Sequence, residues 1–375
     1  MAESPSLNRA ARIIADIGPN ETADQTLRRH LAESTGLSSS ERRAVSRAVF
    51  AYFRWFQWLG RGESIQLHLV QALDLQRRFD LNPDSIKDET LAARAVPGWL
   101  KDEVDLSPAY LRQLQREPSL WIRARPASIT ELASALGDCE RPKAGLAQET
   151  ALRYRGAKDL FVTREFHAGQ FEIQDLGSQL VGVACDPKPK QTWWDACAGE
   201  GGKTLHLADL MGNTGLIWSS DRSARRLATL KRRAGRAKVF NYRAAPWDGG
   251  RKLPTKTLFD GVLMDAPCSG VGTWQRNPHA RWTVTPADVA ELAAIQATLL
   301  GHAALAVKKG GRLLYAVCTL TRSETSAVAD GFQAAHPEYS PDPLAALGLS
   351  DSRAFLWPQD IDGNGMYIAA WKRTG

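Results

Sequence analysis

Apolar runs and helix-like stretches alternate along the second half of this chain. Five apolar runs are typical of buried strands, and most are separated by stretches whose periodicity predicts helices. The predicted strands are Thr192–Asp195, Gly215–Trp218, Lys238–Phe240, Phe259–Met264 and Arg312–Val317. The predicted helices are Lys203–Met211, Ser223–Arg236 and Ala287–Lys308. This βαβ alternation predicts a parallel sheet with right-handed crossovers and with ligand sites at the carboxyl ends of its strands.

The glycine-rich stretch Asp195–Thr204 joins the first of these strands to the first helix. Its glycines, Gly199, Gly201 and Gly202, allow the backbone to approach a ligand closely. The stretch lacks the Gly-x-Gly-x-x-Gly spacing of dinucleotide sites and the first glycine of a P-loop, which disfavours NAD and ATP. We therefore expect a cofactor loop of another kind.

Acidic side chains follow the predicted strands. Asp221 lies roughly 20 residues beyond the glycine-rich stretch, where a carboxylate can bind a pair of ribose hydroxyl groups. A single aspartate at such a place is often only a helix cap, so the set carries more weight than any member. The set consists of Asp195, Asp221, Asp248 and Asp265. Together with the glycine-rich loop, it predicts a pocket for an adenosine-containing cofactor.

Two of the five cysteines lie where apolar runs end. Cys268 is in the turn Asp265–Gly270, and Cys318 directly follows Val317. A free cysteine is often an inert buried residue, but two thiols on the ligand-binding edge favour nucleophilic chemistry. The other three are Cys139, Cys185 and Cys197. No Cys-x-x-Cys pair or histidine spacing supports a disulfide framework or a metal site.

The first 81 residues are basic and helical in pattern. Ser38–Glu41 predicts a capping box and hence a helix start. Aromatic residues between Phe50 and Trp58 interleave with arginines, a combination that suits RNA contact, although packing in a helical core is the favoured interpretation. The whole chain has 48 Lys and Arg against 41 Asp and Glu, a net charge of +7, which favours a polyanionic partner.

Residues 82–170 predict a linker followed by a small α+β module. We expect strands at Leu120–Pro126, Leu160–Thr163 and Phe171–Ile173, with a helix at Ile129–Leu136. Arg123 and Arg125 lie on one face of the first strand and are candidates for phosphate contacts. The N-terminus lacks a secretory pattern and no apolar run would span a bilayer, so we expect a cytoplasmic monomer without membrane or metal partners.

The ordered motifs between Phe171 and Trp371 resemble the Sun/Fmu (RsmB-type) family of RNA (cytosine-5)-methyltransferases. They comprise Gln174–Gln179, the glycine-rich loop, Asp221, Asp265–Gly270, Gln296–Gly311, the Cys318 strand and Gly365–Lys372. The resemblance implies a Rossmann-like α/β methyltransferase domain at 171–375, a small RNA-binding α+β subdomain at 82–170 and a shortened NusB-like helical extension at 1–81. It further implies S-adenosylmethionine as the cofactor and RNA, with ribosomal RNA favoured over transfer RNA, as the substrate.

The resemblance also assigns roles to residues. It makes Cys318 the nucleophile that adds to carbon-6 of a cytosine, with Cys268 assisting elimination and Asp265 contacting the base. Its cofactor-binding set is Ala196, Cys197, Ala198, Gly199, Glu200, Gly201, Gly202, Lys203, Asp221, Arg226, Asp248 and Asp265.

Two positions depart from the family pattern. Val317 stands where the family usually has Thr, which bears on activation of Cys318, and Glu200 stands where bacterial members often have Pro. We expect the second change to be tolerated because the loop backbone makes the contacts. A non-catalytic RNA-binding or ribosome-assembly factor is the alternative of a different class, and the two retained cysteines disfavour it.

Overall fold

The computed structural model describes residues 5–18, 21–34, 36–60, 62–125, 129–142 and 149–375. Two predictions extend beyond these residues: the predicted strand Leu120–Pro126 does so at Pro126, and the N-terminus does so at Met1–Ser4. The chain forms two compact units, one of residues 1–118 with 273–285, the other of 119–272 with 286–375. No helix in the described ranges is long and apolar enough to cross a membrane.

The first unit is helical. The Ser38 hydroxyl accepts the Glu41 amide and the Glu41 carboxylate accepts the Ser38 amide, so the predicted capping box is confirmed. Tyr52, Phe53 and Trp55 are buried, as the packing interpretation predicted, whereas Phe56 is 40% exposed. The helices are Pro5–Ala15, Ala23–Glu33, Ser39–Arg54, Ile65–Leu81, Asp88–Arg94, Pro108–Gln115 and Ala280–Thr283.

A segment from the second half of the sequence, Thr273–Thr285, belongs to this helical unit. Arg281 is fully buried there and donates to the carbonyl oxygens of Trp274, Ala95 and Leu114. Burial lowers the pKa of Arg281 to about 9. The buried guanidinium therefore links the segment to two separate parts of residues 1–118.

The second unit begins with a four-stranded antiparallel sheet in the order β2-β3-β1-β4. Its strands are β1 Leu120–Ala124, β2 Cys139–Glu140, β3 Ala151–Tyr154 and β4 Phe171–Ile173, with helices Ile129–Leu136 and Arg164–His167. The predicted strand at Leu160–Thr163 is wrong. Leu160–Val162 forms a 3-10 turn because the Asp159 carboxylate accepts the Phe161 amide and starts the turn.

Arg123 in β1 and Arg125, which directly follows β1, do not present a phosphate-binding face. Arg123 is 1% exposed and pairs with Asp209, which also accepts hydrogen bonds from Arg125. Arg123 further donates to Gln174 at 2.8 Å, and Arg125 to the Ala237 carbonyl. The expected phosphate contacts are therefore wrong, because these guanidinium groups are used within the unit.

The large sheet of the second unit has the order β10-β12-β9-β8-β5-β6-β7, with β11 paired to β12. β5 to β9 are parallel neighbours and β12 runs antiparallel to β9, so the predicted Rossmann-like sheet is confirmed. The strands are β5 Thr192–Asp195, β6 Leu216–Asp221, β7 Tyr242–Pro246, β8 Phe259–Asp265, β9 Val307–Val317, β10 Tyr339–Pro341, β11 Arg353–Leu356 and β12 Met366–Arg373.

Helices cover the two faces of this sheet. They are Leu176–Cys185, Gly202–Leu210, Ala224–Arg236, Pro286–Ala304, Ser326–Ala335 and Pro358–Ile361. Successive residues of β5 point to opposite faces, so Trp193 lies in one apolar core and Trp194 in the other. Cores on both faces explain why the parallel strands appear in the sequence as continuous apolar runs.

One strand of the large sheet lies later in the chain than predicted. Lys238–Phe240 is irregular, and the strand is Tyr242–Pro246. Lys238 has a left-handed φ of 52°, Val239 is buried beneath the preceding helix, and Phe240 is 77% exposed. These residues form the helix-to-strand connection, and their apolar character reflects local packing rather than strand pairing.

Candidate active site

Residues at or after the carboxyl ends of β5 to β9 line a cavity of about 560 Å³. Eleven of its lining residues were predicted to be site residues: Ala196, Cys197, Ala198, Gly199, Glu200, Asp221, Arg226, Asp248, Asp265, Cys268 and Cys318. Gly201, Gly202 and Lys203 are not among the lining residues. The strand ends thus gather one site, as parallel topology requires.

The glycine-rich loop curves around the cavity through two left-handed residues. Gly199 has φ +56° and Gly201 has φ +86°. An added Cβ on Gly199 would meet no atom within 4 Å, whereas one on Gly201 would lie 2.6 Å from Cγ of buried Leu230. Gly199 therefore faces open space and Gly201 packs against the protein, immediately before the helix Gly202–Leu210.

Asp221 holds this loop in place. Its Oδ2 accepts the Gly199 amide at 3.0 Å, and its Oδ1 accepts the Ser223 amide at 2.7 Å. The side chain is 7% exposed, and Arg226 Nη1 is 4.0 Å from Oδ2. Each carboxylate oxygen has a further lone pair, so Asp221 can still accept hydrogen bonds from a ligand hydroxyl pair.

Asp195 lies buried beneath the loop rather than in the cavity wall. Its Oδ2 accepts the Thr204 hydroxyl at 2.7 Å, and its Oδ1 has no hydrogen-bond partner among the described residues. Burial raises the pKa of Asp195 to about 7, and the Thr204 hydrogen bond only partly opposes this.

Lys203 and Asp265 form an ion pair beside the two cysteines. Lys203 Nζ is 2.6 Å from Asp265 Oδ2, and Lys203 is 8% exposed. Burial lowers the pKa of Lys203, but the charge of Asp265 and the hydrogen bond between them raise it more, so the net pKa is above its ordinary value. A buried, charged lysine thus holds the Asp265 carboxylate at the edge of the cavity.

The two predicted catalytic cysteines lie side by side. Cys268 Sγ and Cys318 Sγ are 3.2 Å apart, and both side chains are half-buried. Their proximity follows from the register of β8 with β9, in which Asp265 is opposite Ala316. The hydrogen bond with Cys318 raises the pKa of Cys268 well above its ordinary value, and burial adds to the effect. Val317, the departure from the family pattern, is completely buried.

The remaining cysteines are arranged differently. Burial raises the pKa of Cys185, and also that of Cys197, whose Sγ donates to Met264 Sδ at 3.6 Å. Burial likewise raises the pKa of Cys139 in β2. Cys197 touches the cavity but its thiol packs beneath the loop, which suits a supporting role rather than nucleophilic chemistry.

The sequence did not point to several residues of the cavity wall. Apolar surface comes from Trp247, Ile295 and Leu299, and Arg222 adds a charge beside Asp221. Ile295 and Leu299 are one helical turn apart in Pro286–Ala304, and their spacing signalled only an apolar helix face. That face is divided between core packing and the cavity, a division that periodicity does not reveal.

Comparison with known proteins supports one family. The family model described as 16S rRNA methyltransferase RsmB/F matches residues 183–372. The protein named "Probable ribosomal RNA small subunit methyltransferase B" of Synechocystis is 36% identical over 74% of this chain and 64% of its own length. The protein of the same name in Bacillus subtilis is 34% identical over 68% of this chain and 58% of its own length. The chain thus spans less than two thirds of these two relatives.

A solved structure supports the fold. The crystal structure of PH0851 superposes with a TM-score of 0.80 and covers 100% of both chains at 23% sequence identity. With the family match across the large sheet and the similarity of the two relatives, the chain belongs to the RsmB/F family of 16S rRNA methyltransferases.

Proposed function

We propose that this protein methylates carbon-5 of a cytosine in ribosomal RNA, with S-adenosylmethionine as the methyl donor. The observation that carries the proposal is the pair of thiols 3.2 Å apart at the ends of β8 and β9, in the wall of the cavity. A nucleophile, a second thiol and the Asp265–Lys203 ion pair meet there, and membership of the RsmB/F family supports an RNA substrate.

The cavity suits the proposed cofactor. Open space above Gly199 leaves room for a ligand against the loop backbone, and Asp221 has acceptor capacity for ribose hydroxyls. Trp247 and Leu299 provide apolar wall for a purine, near Asp248. When bound there, S-adenosylmethionine would supply an electrophilic methyl group. The proposed cofactor-binding set is the one named from the sequence; within it, Gly201, Gly202 and Lys203 do not line the cavity, and Lys203 instead pairs with Asp265 and orients that carboxylate.

The two cysteines have different roles in the reaction at the cytosine base. Carbon-5 of cytosine is a poor nucleophile, so the Cys318 thiolate adds to carbon-6, forming a C–S bond and moving electron density to carbon-5. After methylation, the carbon-5 proton leaves to a base, the C–S bond breaks, and the thiolate of Cys318 is restored. Cys268 assists this elimination, and Asp265 hydrogen-bonds the edge of a base that has been flipped out of its stack.

We propose a corresponding division of the chain. Residues 171–375 carry the reaction, residues 82–170 include β1 to β3 of the small sheet, which contributes to RNA binding, and residues 1–81 form a NusB-like helical extension. The net charge of +7 supports a polyanionic substrate.

Replacement of each cysteine tests the proposal. Cys318→Ala should abolish 5-methylcytosine formation, because no thiolate remains to add to carbon-6. Cys268→Ala should accumulate a covalent protein–RNA adduct, seen as a band of reduced mobility in denaturing gels. Cys139→Ala, which alters a cysteine in β2, is the matched control and should turn over normally.

Bisulfite sequencing of small-subunit ribosomal RNA from cells with and without the gene identifies the modified cytosine. Normal turnover by Cys318→Ala would show that the nucleophile is wrongly assigned. Unchanged bisulfite profiles in the deletion strain would contradict ribosomal RNA as the substrate.

A further inference from the structure

A buried carboxylate connects the two segments that carry the cysteines. We define the Cys268 loop as Asp265–Gly272 and the Cys318 loop as Cys318–Thr325. Glu324 belongs to the second loop and is 0% exposed. Its Oε1 accepts the backbone amide of Ser269, the neighbour of Cys268, at 2.8 Å. A group fixed within one loop therefore holds the backbone of the other.

The same carboxylate is surrounded by donors. Its Oε2 accepts the hydroxyl groups of Ser269 at 2.5 Å, Thr321 at 2.8 Å and Thr319 at 3.2 Å. Ser269 and Thr319 are the residues that directly follow the two cysteines, and their hydroxyl oxygens are 3.0 Å apart. With the Ser269 amide, these hydroxyls give the carboxylate four donors, which offset the cost of burying its charge.

A third segment completes the arrangement. Gln296, in the helix Pro286–Ala304, donates through Nε2 to Glu324 Oε1 and to the carbonyl oxygen of Pro267, both at 2.9 Å. Its Oε1 accepts the hydroxyl of Tyr315 in β9 at 2.9 Å. Pro267 immediately precedes Cys268, so the backbone is held on both sides of that thiol.

We propose that Glu324 is a positioning residue that fixes the Cys268 loop against the Cys318 loop and makes the two thiols chemically unequal. Glu324 acts on Cys268 through its hydrogen bonds with Ser269 and through its charge. This inference rests on the proposed two-thiol reaction, which needs one thiolate nucleophile and one protonated partner.

The charges around the two thiols support the proposed chemical difference between them. On the Cys268 side, the hydrogen bond with Cys318 raises the pKa of Cys268 most, followed by burial, the charge of Cys318 and the charge of Glu324. Tyr315 of β9 also interacts electrostatically with Cys268. On the Cys318 side is the Lys203 ammonium, paired with Asp265, which interacts electrostatically with Cys318. The anion near Cys268 and the cation near Cys318 favour Cys318 as the thiolate.

Glu324→Gln separates charge from geometry. The amide can keep its oxygen toward Ser269 and Gln296 and turn its nitrogen toward the hydroxyls, where its two N–H groups can donate to two of the three, which rotate to accept. The assay is the rate at which iodoacetamide alkylates each cysteine, read by mass spectrometry across pH; the thiolate forms the S–C bond and iodide leaves. In Glu324→Gln the ratio of Cys268 to Cys318 alkylation at neutral pH should rise about tenfold, which corresponds to one pKa unit for Cys268.

Matched variants complete the experiment. Glu324→Asp keeps the charge and should restore a ratio near that of wild type, and Asp330→Asn, a carboxylate-to-amide change on the exposed surface of Ser326–Ala335, should leave it unchanged. A Glu324→Gln ratio equal to that of wild type would overturn the proposal. So would wild-type protein in which Cys268 is alkylated at lower pH than Cys318, a measurement that remains decisive if the variant does not fold.

Alkylation needs neither RNA nor methyl transfer. A missing 5-methylcytosine product would therefore refute the proposed function while the thiol inequality is still measured. A shifted ratio with slower methyl transfer and unchanged RNA affinity in Glu324→Gln would confirm that Glu324 serves the reaction.

Discussion

Gly201→Ala should destabilise the second unit more than Gly199→Ala. The new methyl group would force alanine into a backbone with φ +86° and would lie 2.6 Å from Cγ of Leu230, which is fully buried. The left-handed conformation costs about 1–2 kcal/mol and overpacking about 1–3 kcal/mol, so the free energy of unfolding should fall by about 2–5 kcal/mol.

Gly199→Ala is the matched control, because its φ is +56° but its Cβ would meet no atom within 4 Å. It should cost only the backbone part, about 1–2 kcal/mol, and should instead weaken S-adenosylmethionine binding because the methyl group faces the cavity. Hydrogen exchange of the amides in Gly202–Leu210 under increasing urea reports stability, and calorimetry reports cofactor binding. Equal destabilisation by the two variants would refute the packing argument.

Two further changes test other parts of the molecule. Asp195 has a pKa of about 7 in the folded protein against an ordinary 3.8, so between these values the folded state keeps a proton that the unfolded state releases. The stability of wild type relative to Asp195→Asn should therefore fall by a few kcal/mol as the pH rises from about 4 to about 7. Urea titrations at pH 4.5 and 8 measure the difference, and the same pH dependence in both proteins would contradict the assignment. Arg281→Ala should destabilise the first unit by about 3–5 kcal/mol, because the carbonyl groups of Ala95, Trp274 and Leu114 lose a buried donor. Hydrogen exchange in Pro108–Gln115 should become faster, and unchanged exchange would contradict the prediction.

Four of the five parallel strands, β5, β6, β8 and β9, could be predicted because each combines an apolar run with a turn signal, whereas β7 was predicted too early in the chain. β5 was predicted with the correct bounds because Thr192–Asp195 is followed directly by the glycine-rich loop. The two cysteines could be placed on one edge because the carboxyl ends of parallel strands meet there. Their separation of 3.2 Å depends on the β8–β9 register, which a single strand does not encode.

Long-range polar contacts were beyond the sequence arguments. Arg123 and Arg125 look like a basic strand face, but their partner Asp209 lies more than 80 residues later in the chain. The role of Glu324 likewise could not be predicted from the neighbouring sequence, because it depends on a hydrogen bond with Ser269 in another loop. Periodicity assigns a side chain to a face, whereas the partner that neutralises it is known only after the chain has folded.

The position of Thr273–Thr285 in the first unit has a consequence for folding during synthesis. The helices within residues 1–118 leave the ribosome first, but Arg281, whose guanidinium joins Ala95 to Leu114, is made more than 150 residues later. At translation rates of about 5–20 residues per second, Thr273–Thr285 is synthesised on the order of 10–30 seconds after residue 118. During that interval four of the second unit's five parallel strands, β5, β6, β7 and β8, are also synthesised, so much of the second unit is made before the first can be completed.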